Sequence, residues 1–192
     1  YKHRLVYQTM NVVFMGTPEF AVPSLRSLAT STHKVIAVVT QPDRPKGRSK
    51  IPCPSPVKEA ARELGLEIMQ PVNVNEETVV KQLQRLSPDC IVVVAFGQFL
   101  SIPIIDLPGY RCVNIHASLL PKFRGAAPIN WAIIQGEPVT GVTAVVMTAK
   151  MDAGDIIAQK TTPIFPGENA GELEQRLASM GAELLIDTLN RI

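Results

Sequence analysis

The sequence predicts an α/β protein built on an open, mostly parallel, twisted sheet with helices on both faces. Three observations carry this reading. Short apolar runs alternate along the chain with stretches of helical spacing, the order that builds a covered parallel sheet. One run, Cys90 to Ala95, is apolar throughout and reads as a strand buried on both sides. Small-residue turns follow the carboxyl ends of several runs, and sheets of this kind bind ligands beyond those ends, where the strand order reverses.

Taken in order, Asn11 to Met15 is a strand ended by the turn Gly16-Thr17-Pro18, and Ala21 to Ala29 has helical spacing. Val35 to Thr40 is a second buried strand. From Gln41 to Lys58 periodicity disappears: five prolines and five basic residues (Arg44, Lys46, Arg48, Lys50 and Lys58) stand against the single acid Asp43. This composition predicts a long exposed loop, and loops beyond about 12 to 15 residues in a compact domain are usually functional or disordered. Val57 to Leu64 reads as a helix and Leu66 to Met69 as a short strand. Glu76 to Leu86 is a helix with Val79, Val80, Leu83 and Leu86 on one face. Phe96-Gly97-Gln98-Phe99-Leu100 leaves the Cys90 to Ala95 strand, and a proline-containing segment leads to a strand ending in Asn114-Ile115-His116. Ala127 to Gln135 is a helix. Val142 to Met147 and Gly154 to Ile164 are strands joined by a short loop, which permits an antiparallel excursion at the sheet edge. Ala170 to Leu189 closes the chain as a long helix with Leu173, Leu177, Met180 and Leu184 in register.

Composition bounds the function. With 192 residues, 46% hydrophobic and 19% charged, the chain can bury a full core and is not a disordered segment. Its net charge of +2 is too small to argue nucleic-acid binding, so any such case rests on the local cluster between Arg44 and Lys50. Cys53, Cys90 and Cys112 show no Cys-x-x-Cys spacing; they read as reduced thiols, two of them in apolar strands, and not as a zinc site. No apolar run approaches the roughly 20 residues that cross a bilayer. Met10 reads as a natural start because a strand follows at once, leaving residues 1-9 as an extension: the remnant of a transit peptide, translated upstream sequence or an added leader.

The chemistry concentrates in Asn114 to Pro128. Strand alternation puts Asn114 and His116 on one side and Ile115 on the other, so two polar groups leave a core strand together. Leu119-Leu120-Pro121 is apolar and rigid, a wall for a flat ligand, and Arg124-Gly125-Ala126-Ala127-Pro128 turns into the next helix. Of the other histidines, His3 lies in the extension and His33 at a helix-to-strand turn. Asp152 stands in a glycine-containing loop, Met151-Asp152-Ala153-Gly154-Asp155, beyond another strand. An amide donor, an imidazole and a carboxylate suit acyl transfer to an amine, with the amide and imidazole facing an oxyanion and the acid orienting the ring. One histidine and one carboxylate fall short of the three protein ligands of catalytic zinc, so no metal is expected. Gly16-Thr17-Pro18 lacks the glycines of a dinucleotide fingerprint and the lysine of a P-loop, which argues against NAD and ATP chemistry.

These same residues carry a resemblance. Asn114-Ile115-His116-Ala117-Ser118-Leu119-Leu120-Pro121, then Arg124-Gly125-Ala126 and Asp152, resembles the signature of the folate-dependent formyltransferases, a family with a Rossmann-like sheet. Three further stretches resemble its methionyl-tRNA formyltransferase branch: Phe14 to Phe20, Gln41 to Arg48 with Pro54 to Lys58, and Gly125-Ala126-Ala127-Pro128-Ile129. The likeness runs from Met10 to about Arg191.

The resemblance implies transfer of a formyl group from 10-formyltetrahydrofolate to the α-amine of initiator methionyl-tRNA. It assigns Asn114, His116 and Asp152 as the catalytic trio, and Ser118, Leu119, Leu120 and Pro121 as folate-lining residues. Phe96, Gly97, Gln98, Phe99, Leu100 and Met151 are expected to close around the pterin, and Arg44, Lys46, Arg48 and Lys50 to meet the tRNA acceptor end. Residues 10-192 correspond to the family's catalytic domain, and the barrel-like C-terminal domain that adds tRNA-binding surface is absent from this sequence. The resemblance implies a monomer with no membrane partner, cytoplasmic, or mitochondrial or plastid if residues 1-9 come from a transit peptide. The rival activities are formyl transfer to glycinamide ribonucleotide or an amino sugar, and hydrolysis of the donor. A rival from another class is a non-catalytic tRNA- or folate-binding module left by truncation.

Overall fold

The computed structural model describes residues 8-45 and 51-192. Its sheet begins with β1 (Asn11–Gly16), whose apolar residues are buried on both faces. A 3-10 turn at Glu19–Ala21 leads into α1 (Val22–Ala29), and β2 (Lys34–Val39) returns beside β1. Next come β3 (Arg44–Pro45) and β4 (Pro52–Cys53), a two-stranded antiparallel pair outside the main sheet. The chain continues through α2 (Pro56–Glu63), β5 (Ile68–Met69), α3 (Glu77–Leu86) and β6 (Cys90–Val94). The last part comprises α4 (Ile102–Ile105), β7 (Arg111–His116), α5 (Pro128–Ile134), β8 (Val139–Val146), β9 (Ile156–Pro163) and α6 (Ala170–Leu189).

The seven strands lie in the order β5-β2-β1-β6-β7-β8-β9. Pairings from β5 to β7 are parallel and those from β7 to β9 antiparallel, so the expected mostly parallel α/β sheet is present with its excursion at one edge. The chain winds outward from β1 toward β5 and from β6 toward β9, which makes the β1/β6 boundary the switch point. One core, with Leu25, Leu28, Leu173, Leu177, Val113 and Ile115, packs α1, α2 and α6 on one face. The other, with Val79, Leu83, Ile104, Val93 and Cys112, packs α3 and α4 on the opposite face.

Helix boundaries follow local chemistry. Ser55 caps α2 by accepting from the Lys58 backbone N–H, with Pro56 at the first turn. Asn169 and Glu172 form a reciprocal capping box on α6. Among the described residues no helix is long and apolar enough to cross a membrane.

Two expectations need correction. The segment from Gln41 to Lys58 is not one exposed loop: Arg44–Pro45 and Pro52–Cys53 pair as β3 and β4, and Lys58, within the helix expected from Val57, is buried against Asp43. A charge count treats every lysine as solvated, whereas this one has a carboxylate partner. Strand β8 also starts at Val139, earlier than the expected Val142. A Cβ on Gly141 would lie 2.0 Å from the Lys160 carbonyl oxygen, so the glycine that weakened the strand pattern is what lets β8 and β9 approach there.

Candidate active site

The three residues singled out as catalytic come together. Asn114 and His116, two apart on β7, point to the same face, and the turn between β8 and β9 brings Asp152 against them. The Asn114 Nδ2 donates to Asp152 Oδ1 at 3.2 Å, and His116 Nδ1 lies 3.5 Å from Asp152 Oδ2. The Gly125 backbone N–H donates to Asp152 Oδ2 at 2.9 Å. The second ring nitrogen of His116, Nε2, is 2.8 Å from the Phe123 carbonyl oxygen. A carbonyl only accepts, so Nε2 carries a hydrogen, and Nδ1 is the nitrogen that faces the Asp152 carboxylate.

Backbone geometry holds this arrangement. Gly125 has φ +84°, which aims its N–H at Asp152, and Asp152 itself has φ +47°. Asp tolerates the left-handed region better than most residues, and the hydrogen bonds from Asn114 and Gly125 to its carboxylate hold it there. Gly154 lets the β8-β9 turn close: a Cβ there would sit 1.9 Å from the Val146 carbonyl oxygen.

The trio borders a cavity of about 650 Å³ at the carboxyl ends of β1, β6 and β7. The cavity curls round the sheet's rim onto both faces. Val93, Asn114 and Met147 line it on the α3/α4 face; Phe20, Ile115, Ile129 and Glu174 line it on the α1/α6 face. Phe96, Gly97, Gln98, Phe99, Leu100 and Met151 all reach it. The loop that carries the first five is tied down from outside. Gln98 Oε1 accepts from the Val74 N–H at 2.8 Å, Asn75 Nδ2 donates to the Phe99 carbonyl at 2.8 Å, and Thr17 Oγ1 donates to the Phe96 carbonyl at 2.8 Å. Phe99 itself is 73% exposed, an apolar ring at the mouth.

Ser118, Leu119, Leu120 and Pro121 do not line the cavity, contrary to their expected folate-lining place. Ser118 is fully buried and its Oγ donates to the Lys122 carbonyl at 2.6 Å. Thr143, on β8, donates through Oγ1 to the Ser118 carbonyl at 2.6 Å and accepts from the Leu120 N–H at 3.1 Å. Gln159, on β9, donates to the Leu120 carbonyl at 3.0 Å. The antiparallel strands thus draw this segment over themselves, and residues 125-130 form the wall in its place.

Of the basic cluster, Arg44 is exposed at the start of β3 and donates to Gln41 Oε1 at 3.2 Å. Lys46, Arg48 and Lys50 lie outside the described residues. Sequence reasoning missed the Gly125 N–H, for which the Arg124-Gly125 turn was an available signal, and Glu174, for which there was none. Cys90 and Cys112 are buried away from this chemistry; burial pushes the Cys90 thiol up to about 12 and raises that of Cys112 as well. Among the described residues no group of three or more His, Cys, Asp or Glu is arranged to hold a metal ion.

A family model described as "Formyl transferase" matches residues 10-189. A protein named methionyl-tRNA formyltransferase from Citrifermentans bemidjiense is 51% identical over 183 residues, 95% of this chain and 58% of the relative. One of the same name from Alkaliphilus metalliredigens is 53% identical over 183 residues, again 95% and 58%. The chain therefore spans 58% of the length of these curated relatives. Among solved structures, glycinamide ribonucleotide transformylase 1 from Symbiobacterium toebii superposes with a TM-score of 0.77 at 20% identity, covering 95% of this chain and 86% of that one. Phosphoribosylglycinamide formyltransferase from Bacillus halodurans gives 0.76 at 23% identity, with 94% of each chain covered. At these identities the two structures bear on the fold alone.

Proposed function

The chain belongs to the formyl transferase family, and from that premise we propose that it transfers a formyl group from 10-formyltetrahydrofolate to the α-amino group of initiator methionyl-tRNA. The observation that carries the proposal is the meeting of Asn114, His116 and Asp152 at the rim of one large, mostly apolar cavity. The choice of acceptor is supported by about half identity, over nearly the whole chain, to proteins named for that reaction. The basic stretch from Arg44 to Lys50 supplies cations for phosphates.

In this reading the amine nitrogen attacks the formyl carbon and its C=O electrons move onto oxygen. Asn114 meets that oxyanion: one hydrogen of its amide is taken by Asp152, and the other is free to donate. The His116 Nε2–H is held by the Phe123 carbonyl, and Nδ1 faces Asp152 Oδ2 at 3.5 Å. Nδ1, unprotonated at the start, accepts the proton that the attacking amine loses, steadied there by the Asp152 carboxylate, and returns it to the folate nitrogen as the C–N bond breaks. Phe99 and Met151 offer apolar surface for the flat donor ring, with backbone groups of the Phe96 to Leu100 loop for its polar edge.

The test is formylation of charged initiator tRNA by the whole chain with 10-formyltetrahydrofolate, beside His116→Ala. Formylmethionyl-tRNA from the wild type and loss of turnover in the variant are expected. Formate release without acceptor, or formylation of a small amine in place of the tRNA, would replace this reading with a sibling activity.

A further inference from the structure

Between β2 and α2 two short strands, β3 and β4, are held to each other over two residues each. Ladders of that length are marginal on their own. A set of buried and half-buried side chains at the base does the holding. Lys58 is only 8% exposed, and its Nζ donates to both carboxylate oxygens of Asp43, at 2.8 and 2.6 Å. An ammonium in the first turn of a helix stands at the unfavourable end of the dipole, and a buried one needs a partner. Asp43, from the foot of β3, is that partner, so the ion pair ties the hairpin to α2.

The network continues inward. Gln70, next to β5, spends both hydrogens of its amide: one goes to Asp43 Oδ1 at 2.7 Å and the other to the Gln41 carbonyl at 3.0 Å. The Gln41 side chain accepts from Arg44 at 3.2 Å and donates to the Phe96 carbonyl at 3.4 Å. Its backbone N–H donates to Thr17 Oγ1, which in turn donates to the same Phe96 carbonyl. A continuous run of hydrogen bonds thus joins Lys58 to the wall of the reaction cavity.

We propose that Lys58, Asp43, Gln70 and Gln41 are positioning residues: they hold Arg44, at the foot of β3, at a fixed place relative to the cavity, so that it binds a phosphate of the acceptor whose amine meets the formyl carbon. This rests on the tRNA reading of the acceptor. The Lys58 and Gln70 hydrogen bonds hold the Asp43 carboxyl below the usual carboxylate range, so the tie is fully present at neutral pH and is lost only as pH falls through that lowered value.

The experiment compares the whole chain with Lys58→Met, Lys58→Arg and Arg44→Glu. In Lys58→Met the KM for charged initiator tRNA should rise about tenfold, with kcat and the donor KM within about twofold, the pattern of lost acceptor binding. Lys58→Arg keeps a two-pronged contact to Asp43 and should recover most of the KM. A role confined to stabilising α2 would lower the melting temperature without splitting the two KM values. Amide exchange at Arg44 and Cys53 reads the tie without activity: about tenfold faster exchange in Lys58→Met is expected, and unchanged exchange overturns the proposal. An unchanged tRNA KM in Lys58→Met also overturns it, whether or not Arg44→Glu raises that KM. Absence of any formylmethionyl-tRNA from the wild type sinks the functional reading itself, and the exchange result still reports on the tie. If Lys58→Met melts below the assay temperature, Asp43→Glu keeps both charges and shifts the carboxylate by one methylene; the same rise in KM supports the proposal and none refutes it.

Discussion

Replacing Asn114 by alanine separates catalysis from folding more cleanly than any other change at this site. The side chain makes one described hydrogen bond, a long one of 3.2 Å to Asp152 Oδ1, and it is half-buried beside an open cavity. Water can replace the lost donor, so the stability loss should be about 1 kcal/mol or less. The loss in the transition state is larger. Removing one preorganised oxyanion donor raises the barrier by about 2.7 to 4 kcal/mol, which at about 1.4 kcal/mol per decade is a 100- to 1000-fold fall in kcat. Asp152 keeps the Gly125 N–H and its contact with His116, so the donor KM should stay within about threefold. Turnover at saturating donor and acceptor, with a thermal melt of the same preparation, measures both quantities. A kcat within about threefold of wild type would refute the assignment of Asn114 as the oxyanion donor. An equal collapse of Tm and kcat would refute the claim that its role is chemical.

Two further expectations test the frame around the trio. Gly154→Ala drives a methyl into the Val146 carbonyl, 1.9 Å away, and should destabilise the fold by about 2 kcal/mol or more, a fall in Tm of roughly 5 °C or more, with kcat falling too because Asp152 sits two residues earlier. His33 is buried with Nδ1 accepting from the Met10 N–H at 3.4 Å and Nε2 donating to Asn190 Oδ1 at 3.3 Å, a pattern that the neutral ring satisfies. Burial, partly offset by the Asn190 bond, lowers its pKa, so the unfolded chain binds more protons and stability falls as pH drops through and below the ordinary histidine value. Melting curves from pH 7 to pH 5 should show this slope in the wild type and a flatter one in His33→Gln.

The parts of this molecule that were legible in the sequence are those set by local pattern. Cys90 to Val94 declares itself because no residue in it tolerates water, and the two-residue period of a strand suffices to put Asn114 and His116 on one side. What was not legible depends on partners far along the chain. Leu119 to Pro121 looked like a ligand wall because they are apolar, but the Thr143 hydroxyl, 25 residues from Ser118, bonds the Ser118 carbonyl and the Leu120 N–H and holds this backbone against β8. Lys58 looked like one more surface charge, because nothing in its neighbours announces that Asp43, 15 residues back, will meet it. Glu174 enters the cavity only because α6 crosses the sheet where it does, and the helical period of α6 says nothing about that crossing point.

The hollow that bends around the rim of the sheet has a kinetic corollary. Under the proposed formyl transfer, two molecules entering from opposite faces of the sheet's rim need not displace each other, and the carbon passes directly between them without a covalent way station on the protein.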